Sequence, residues 1–158
     1  MAADDDEETL DYIAEILEIV AEVAGVETEV VVEEENGAIA AEYLGDGDDL
    51  AVLIGHHGQS LDAIEHLAHR MAFRGVDDRK PLSLNAAGYR ERRATALHAV
   101  ADQAAEAAVR DGRPVSLDPM SAQERKLVHE YLKPRFDVET YSEGQEPSRR
   151  LVVAPVVS

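Results

Sequence analysis

The sequence predicts an α+β chain made of two small α/β domains, and three observations carry that expectation. Leu10, Ile13, Leu17 and Val20 recur every three or four residues, with Asp11, Glu15, Glu18 and Glu22 opposite, the pattern of an amphipathic helix. Two alternating segments then flank Asn36-Gly37, a dipeptide suited to a tight hairpin because both residues tolerate positive φ. Helical and strand patterns continue to alternate in short pieces to the end. With 158 residues, 45% of them hydrophobic, the chain can bury one core or two small ones.

The first helix is expected over residues 8–24, ended by Gly25, with the run Asp4–Glu8 frayed before it. Thr28, Val30 and Val32 alternate with Glu27, Glu29 and Glu33, and Ile39, Ala41 and Tyr43 alternate after the turn. Residues 26–44 therefore read as an antiparallel hairpin of half-buried strands. Asp48 or Asp49 is placed to cap a short apolar helix over 50–54. Gly55-His56-His57-Gly58 interrupts it. Ser60 is placed to cap the next helix, with a core stripe of Leu61, Ile64, Leu67 or Ala68, and Met71, and Gly75 at its end. Residues 81–85 read as a third strand. A long Ala-rich helix over 89–110 sets Tyr89, Leu97, Val100, Ala104 and Ala108 on one stripe, and Asp111-Gly112 ends it. Val115 and Leu117 alternate in a short strand. Ser121-Ala-Gln-Glu124 has the form of a capping box for a helix over 122–132, closed by Pro134. Two final strands, 138–141 and 150–154, are expected to meet through a turn at Ser142-Glu-Gly144. There is no internal repeat.

Composition narrows the function. The absence of Cys excludes disulfides, thiolate zinc sites and a cysteine nucleophile, and fits a reducing compartment. Aromatic residues make up 4% and Trp is absent, so stacking platforms are few. No window approaches the roughly 18 to 20 apolar residues of a membrane span, and the acidic N-terminus lacks the basic-then-apolar pattern of a signal peptide. The net charge of −18 argues against nucleic acid as an average, but it is unevenly placed. Residues 1–50 hold 18 acidic residues and no Lys or Arg; residues 51–158 hold 15 acidic and all 15 basic ones. The second stretch is balanced and has basic clusters.

Gly55-His56-His57-Gly58 lies between two helices. Glycines there let the backbone turn sharply and let a sugar-phosphate chain approach, and the following helix presents unpaired N–H groups to phosphate. Leu53-Ile-Gly-His-His-Gly-Gln-Ser-Leu-Asp62 resembles the signature of a KH domain, and the order of elements is similar to the type II arrangement. That resemblance implies single-stranded RNA clamped by the loop. Further on, Arg125 and His129 stand i,i+4 on one helix, where both suit phosphate contact, with Leu127, Val128 and Tyr131 on the packing side. Together with Tyr89–Arg93, Asp118–His129 and Thr140–Pro155, they resemble an R-three-H domain, a module that binds single-stranded nucleic acid.

A KH domain followed by an R-three-H domain is the layout of the Jag family, the SpoIIIJ-associated proteins of bacteria. The resemblance runs over about residues 8–155. It implies a type II KH domain over 1–87 and an R-three-H domain over 88–158. It also implies a cytoplasmic regulator that grips RNA through Gly55, His56, His57 and Gly58 and through Arg125 and His129. A homodimer, or pairing with a small KH protein, is the assembly it suggests; no cofactor is implied. Family members usually carry Arg or Lys between the two glycines, where this chain has two His. Because His titrates near neutral pH, the loop is expected to bind RNA more strongly as pH falls. The family's separate N-terminal Jag domain has no counterpart in this sequence.

Other residues have two readings each. Arg90, Arg92 and Arg93 either extend a basic path or pair with carboxylates such as Glu91. Arg149 and Arg150, at a strand start, either meet phosphate or simply face solvent. His66 and His69 have the spacing of a metal pair without a clear third ligand, so a surface or packed role is expected; His98 reads as structural. Tyr141 either stacks on a base or packs between sheet and helix. No Gly-x-Ser-x-Gly elbow, Walker loop or His-Glu-x-x-His motif occurs, so no catalysis is expected. The expected function is binding of single-stranded RNA, with single-stranded DNA as the other candidate strand. The rival is an adaptor whose acidic KH half docks a protein, leaving nucleic acid to the C-terminal domain.

Overall fold

The structure is a computed structural model that describes residues 2–157, with side chains from residue 6 onward. The architecture is α+β. The chain divides into two compact units, Met1–Arg90 and Glu91–Ser158.

The first unit runs α1 (Ala2–Val23), β1 (Glu29–Glu35), β2 (Ala38–Leu44), α2 (Ala51–Ile54), a 3₁₀ turn (His56–Gly58), α3 (Gln59–Ala72) and β3 (Leu82–Ala86). The sheet order is β1-β2-β3. The first pair is antiparallel around Asn36 (φ 53°) and Gly37 (φ 77°), the positive-φ turn that the dipeptide predicts. The second pair is parallel, with Ile39 opposite Leu82. The alternating strand positions Ile39, Ala41 and Tyr43 face inward against Ile13 and Leu17 of α1, Leu61 of α3 and Leu84 of β3. The Tyr43 hydroxyl donates to the Leu17 carbonyl at 2.7 Å.

Four details differ from the sequence expectation. Helix α1 begins at Ala2, so the acidic run lies within the helix and is not frayed. Neither Asp48 nor Asp49 caps α2. Its cap position is Leu50, with no side-chain hydrogen bond, and Asp46 Oδ1 instead accepts from the Asp48 N–H at 2.9 Å. Ser60 lies inside α3, whose cap is Gly58. The α3 stripe runs through Leu61, Ile64 and Ala68, while Leu67 and Met71 are exposed.

The second unit contains α4 (Tyr89–Asp111, its first two residues belonging to the first unit), β4 (Val115–Ser116), α5 (Ala122–Leu132), β5 (Val138–Glu143) and β6 (Arg150–Pro155). Its antiparallel sheet has the order β4-β6-β5. Leu97, Ala101, Ala104, Ala105 and Ala108 of α4 join Val128 and Leu132 of α5 and Leu151 and Val153 of β6 in one core. The stripe passes through Ala101, and Val100 is exposed. Both positions satisfy a 3.6-residue period, and the smaller side chain is the one buried. Strand β5 continues to Glu143, so its connection to β6 spans 144–149 and not the shorter turn at 142–144.

Candidate nucleic-acid interface

The Gly55–Gly58 segment is shaped by its two glycines. Gly55 follows α2 with φ 71° and ψ −174°. A Cβ there would lie 2.7 Å from Ser60 Cβ and 2.9 Å from the Ser60 backbone nitrogen. Gly58 has φ 77°, and a Cβ would lie 2.7 Å from the Tyr89 ring. Close approach and left-handed backbone thus both require glycine at each position. Between them His57 also adopts a left-handed conformation (φ 51°, ψ 31°). The exposed imidazoles of His56 and His57 stack with ring centroids 3.9 Å apart. Leu53 and Ile54 are buried just before the turn, while Val52 is exposed. Helix α3 begins at once with Gln59, leaving its first N–H groups at the turn. Arg90 does not extend a basic path here: it donates to Asp62 Oδ1 at 2.5 Å and to Glu65 Oε2 at 3.1 Å.

In the second unit a groove of about 400 Å³ lies along α5 and β5. Ser121 caps α5, accepting from the Glu124 N–H at 3.2 Å. The Glu124 carboxylate, the expected reciprocal partner, accepts from Arg93 Nε at 2.7 Å. The cap orients α5 so that Arg125, Lys126 and His129 line the groove with Thr140, Tyr141 and Ser142 of β5 and Arg149. Among the described residues, no Asp or Glu lines it. Lys126 and His129 are exposed, and Arg149 and Arg150 are both half-buried. Among the described residues, no carboxylate is paired with Lys126 or Arg149. His129 Nδ1 lies 2.5 Å from Thr140 Oγ1, which fixes the ring orientation.

Arg125 departs most from expectation. It is 8% exposed, and its guanidinium donates to the Met120 carbonyl at 2.7 Å and to Glu146 Oε1 at 2.6 Å. Arg125 and His129 do share the groove, but Arg125 is a buried wall and His129 an exposed one. Tyr131 does not pack into the core: it stacks on His98 at 4.0 Å, and its hydroxyl donates to Asp102 at 2.8 Å. That hydrogen bond raises the Tyr131 phenol above its ordinary range. Tyr141 is 47% exposed, so it does not pack between sheet and helix.

Among the other candidates, Arg92 is exposed on α4, and Arg150 stands opposite Glu143 in the strand register. His69 Nε2 lies 3.0 Å from the Lys80 carbonyl, and its ring tilts against Phe73, a packed role. Lys126, Thr140 and Ser142 were not singled out by sequence reasoning. Thr140 and Ser142 share a face of β5 with buried Val138, and that alternation is the signal that finds them.

Comparison with known proteins gives the second unit a family. Residues 95–155 match the R-three-H domain. Relatives include RNA-binding protein KhpB of Clostridium symbiosum, 36% identical over 108 residues, covering 68% of this chain and 49% of that protein. The protein of the same name from Lactiplantibacillus plantarum is 39% identical over 103 residues, 65% of this chain and 32% of the relative. That of Bacillus subtilis is 30% identical over 140 residues, 87% of this chain and 66% of the relative. The chain belongs to the Jag (KhpB) family. This Jag-family chain spans about half the length of the Clostridium relative and a third of the Lactiplantibacillus one. Its R-three-H match opens inside α4 and closes at the end of β6, enclosing every groove residue; Arg92, Arg93 and the Gly55–Gly58 turn precede it.

Proposed function

We propose that this Jag-family chain binds single-stranded RNA, and that the α5–β5 groove takes the phosphate backbone. One observation carries this reading: Lys126, His129 and Arg149 line one groove that no Asp or Glu among the described residues lines. Lys126 and Arg149 supply charge, and His129, oriented through Nδ1 by Thr140, offers Nε2 to a phosphate oxygen. Arg125 acts as a brace for the wall through Met120 and Glu146. Arg92 and Arg150 extend the basic surface, and Arg93 supports α5 through Glu124. The names of the relatives, RNA-binding protein KhpB, supply RNA as the strand.

Residues 1–87 are read as a type II KH domain and 88–158 as the R-three-H domain. The element order of the first unit and the two positive-φ glycines support the former. The exposed His56 and His57 then give the turn its phosphate contacts. Two domains on one strand gain from effective concentration even where each alone is weak. The chain acts as a binding module in the cytoplasm, with no catalytic step.

A second reading concerns the first unit alone. It holds 22 acidic residues against 5 Lys and Arg, and two of those five, Lys80 and Arg90, are already paired with carboxylates. That charge favours docking of a basic protein surface, with self-association and pairing with a small KH protein as further arrangements. The second unit, with 11 acidic and 10 basic residues, is nearly neutral.

Photo-crosslinking to a mixed-sequence single-stranded RNA, followed by peptide mapping, tests the assignment. Adducts on α5, β5 and the 144–149 connection are expected, with adducts at residues 55–58 if the first unit shares the strand. Adducts confined to the first unit would contradict the groove assignment.

A further inference from the structure

We propose that Ser142 reads the ribose 2′-hydroxyl and makes the groove favour RNA over single-stranded DNA. The inference rests on the RNA-binding reading of the groove. In the β5–β6 register Thr140 stands opposite Val153 and Ser142 opposite Leu151. Val153 and Leu151 belong to the core shared with α5, and residues directly opposite each other share a face of the sheet. Both hydroxyl side chains therefore lie on the face that α5 covers, whereas the Tyr141 side chain lies on the other. Thr140 meets His129. Ser142 follows at roughly 7 Å along the strand. It is exposed and lines the groove with Lys126 and Arg149. The Met120 N–H donates to the Arg149 carbonyl at 3.2 Å, which places Arg149 at the N-terminal end of α5, away from His129.

An RNA strand has a ribose, with its 2′-hydroxyl, between each two successive phosphates. A strand whose phosphates meet His129 at one end of the groove and Lys126 or Arg149 at the other brings a sugar over Ser142. The chemistry of the lining then selects Ser142. A 2′-hydroxyl both donates and accepts, and so does a serine hydroxyl. Lys126 and Arg149 only donate, and phosphate takes them. The Arg125 guanidinium is committed to Met120 and Glu146, and the Thr140 hydroxyl to His129. Ala122 and Leu151 are apolar. Among the described residues, the Ser142 hydroxyl has no hydrogen-bond partner, and no Asp or Glu lines the groove to take the 2′-hydroxyl proton instead. The 2′-hydroxyl is the group by which a site tells RNA from DNA.

Labelled strands of one mixed sequence, as RNA and as DNA, would be titrated with the full chain by fluorescence anisotropy. Wild type should bind the RNA more tightly. Ser142→Ala should lower the RNA-to-DNA affinity ratio by about threefold to tenfold, the worth of one hydrogen bond, by weakening RNA binding and leaving DNA binding unchanged. Its salt slope should stay that of wild type, because no charge is lost. Ser142→Thr keeps the hydroxyl and should keep the preference. Equal wild-type affinity for the two strands, or a ratio that Ser142→Ala leaves unchanged, overturns this inference and leaves the RNA reading standing. No RNA binding by the wild type overturns both.

Discussion

Arg125 Nη2 donates to Glu146 Oε1 at 2.6 Å, tying helix α5 to the connection that carries Arg149. The guanidinium is almost wholly buried, whereas Glu146 is 59% exposed. Arg125→Ala removes this tie and leaves the Met120 carbonyl without its donor. The expected loss is about 1–3 kcal/mol, discounted for the exposed carboxylate. Arg125→Lys restores only part of it, because one ammonium cannot span both acceptors as a fork does. Lys126→Ala should change stability by less than about 0.5 kcal/mol. Urea unfolding of the three variants checks the ranking. Equal stability of Arg125→Ala and wild type would contradict the bracing role.

Lys126 and Arg149 have the opposite signature. Among the described residues neither has a carboxylate partner, and each lines the groove. Lys126→Ala and Arg149→Ala should weaken RNA binding by similar factors for unrelated sequences, and each should lower the salt slope by about 1. A loss that depends on base identity would assign these residues to base contacts instead.

The difference between Arg125 and its neighbours is also where sequence reasoning reaches its limit. The i,i+4 spacing correctly places Arg125 and His129 at one groove. It says nothing of Glu146, a residue 21 positions on that reaches Arg125 only through the β5–β6 connection. Local signals fare better. Asn36-Gly37 makes its positive-φ turn, and Ser121 caps α5, because both depend on a few adjacent residues. The stripes at Leu67/Ala68 and Val100/Ala101 are ambiguous in sequence, since helical period alone fits both members of each pair. Packing decides for Ala in both cases. Ser60 and Asp48 look like caps by type, but Gly58 holds the cap position of α3 and Leu50, with no side-chain hydrogen bond, that of α2.

The glycine turn yields a stability test in the first unit. Gly37 and Gly55 both have positive φ, yet a Cβ on Gly37 meets nothing within 4 Å, while one on Gly55 meets the Ser60 backbone nitrogen at 2.9 Å. Gly37→Ala should cost about 1 kcal/mol from backbone strain alone. Gly55→Ala should cost about 2 kcal/mol or more, because neighbouring backbone must also shift. Equilibrium unfolding of both variants gives the comparison, and equal costs would contradict the crowding at Gly55.

Tyr43 gives the first unit an alkaline limit. Burial pushes its phenol well above the ordinary tyrosine range. A group whose folded pKa is raised contributes stability that is complete below the unfolded value, about 10, and is lost as pH rises above it. Tyr43→Phe loses the hydrogen bond to Leu17, about 1 kcal/mol at neutral pH, but also loses the titration. Unfolding curves for the two proteins should therefore converge as pH rises above about 10. Parallel curves would show that Tyr43 does not carry this dependence.

Phosphate grip on single-stranded RNA by the α5–β5 groove is tested most directly by fluorescence anisotropy. A labelled mixed-sequence RNA would be titrated at low and moderate salt with wild type, Lys126→Ala/Arg149→Ala and His56→Asp/His57→Asp. Salt-sensitive wild-type binding that the groove variant largely loses is the expected result. A groove variant that keeps wild-type affinity and salt slope, or a wild type that does not bind at low salt, would contradict it.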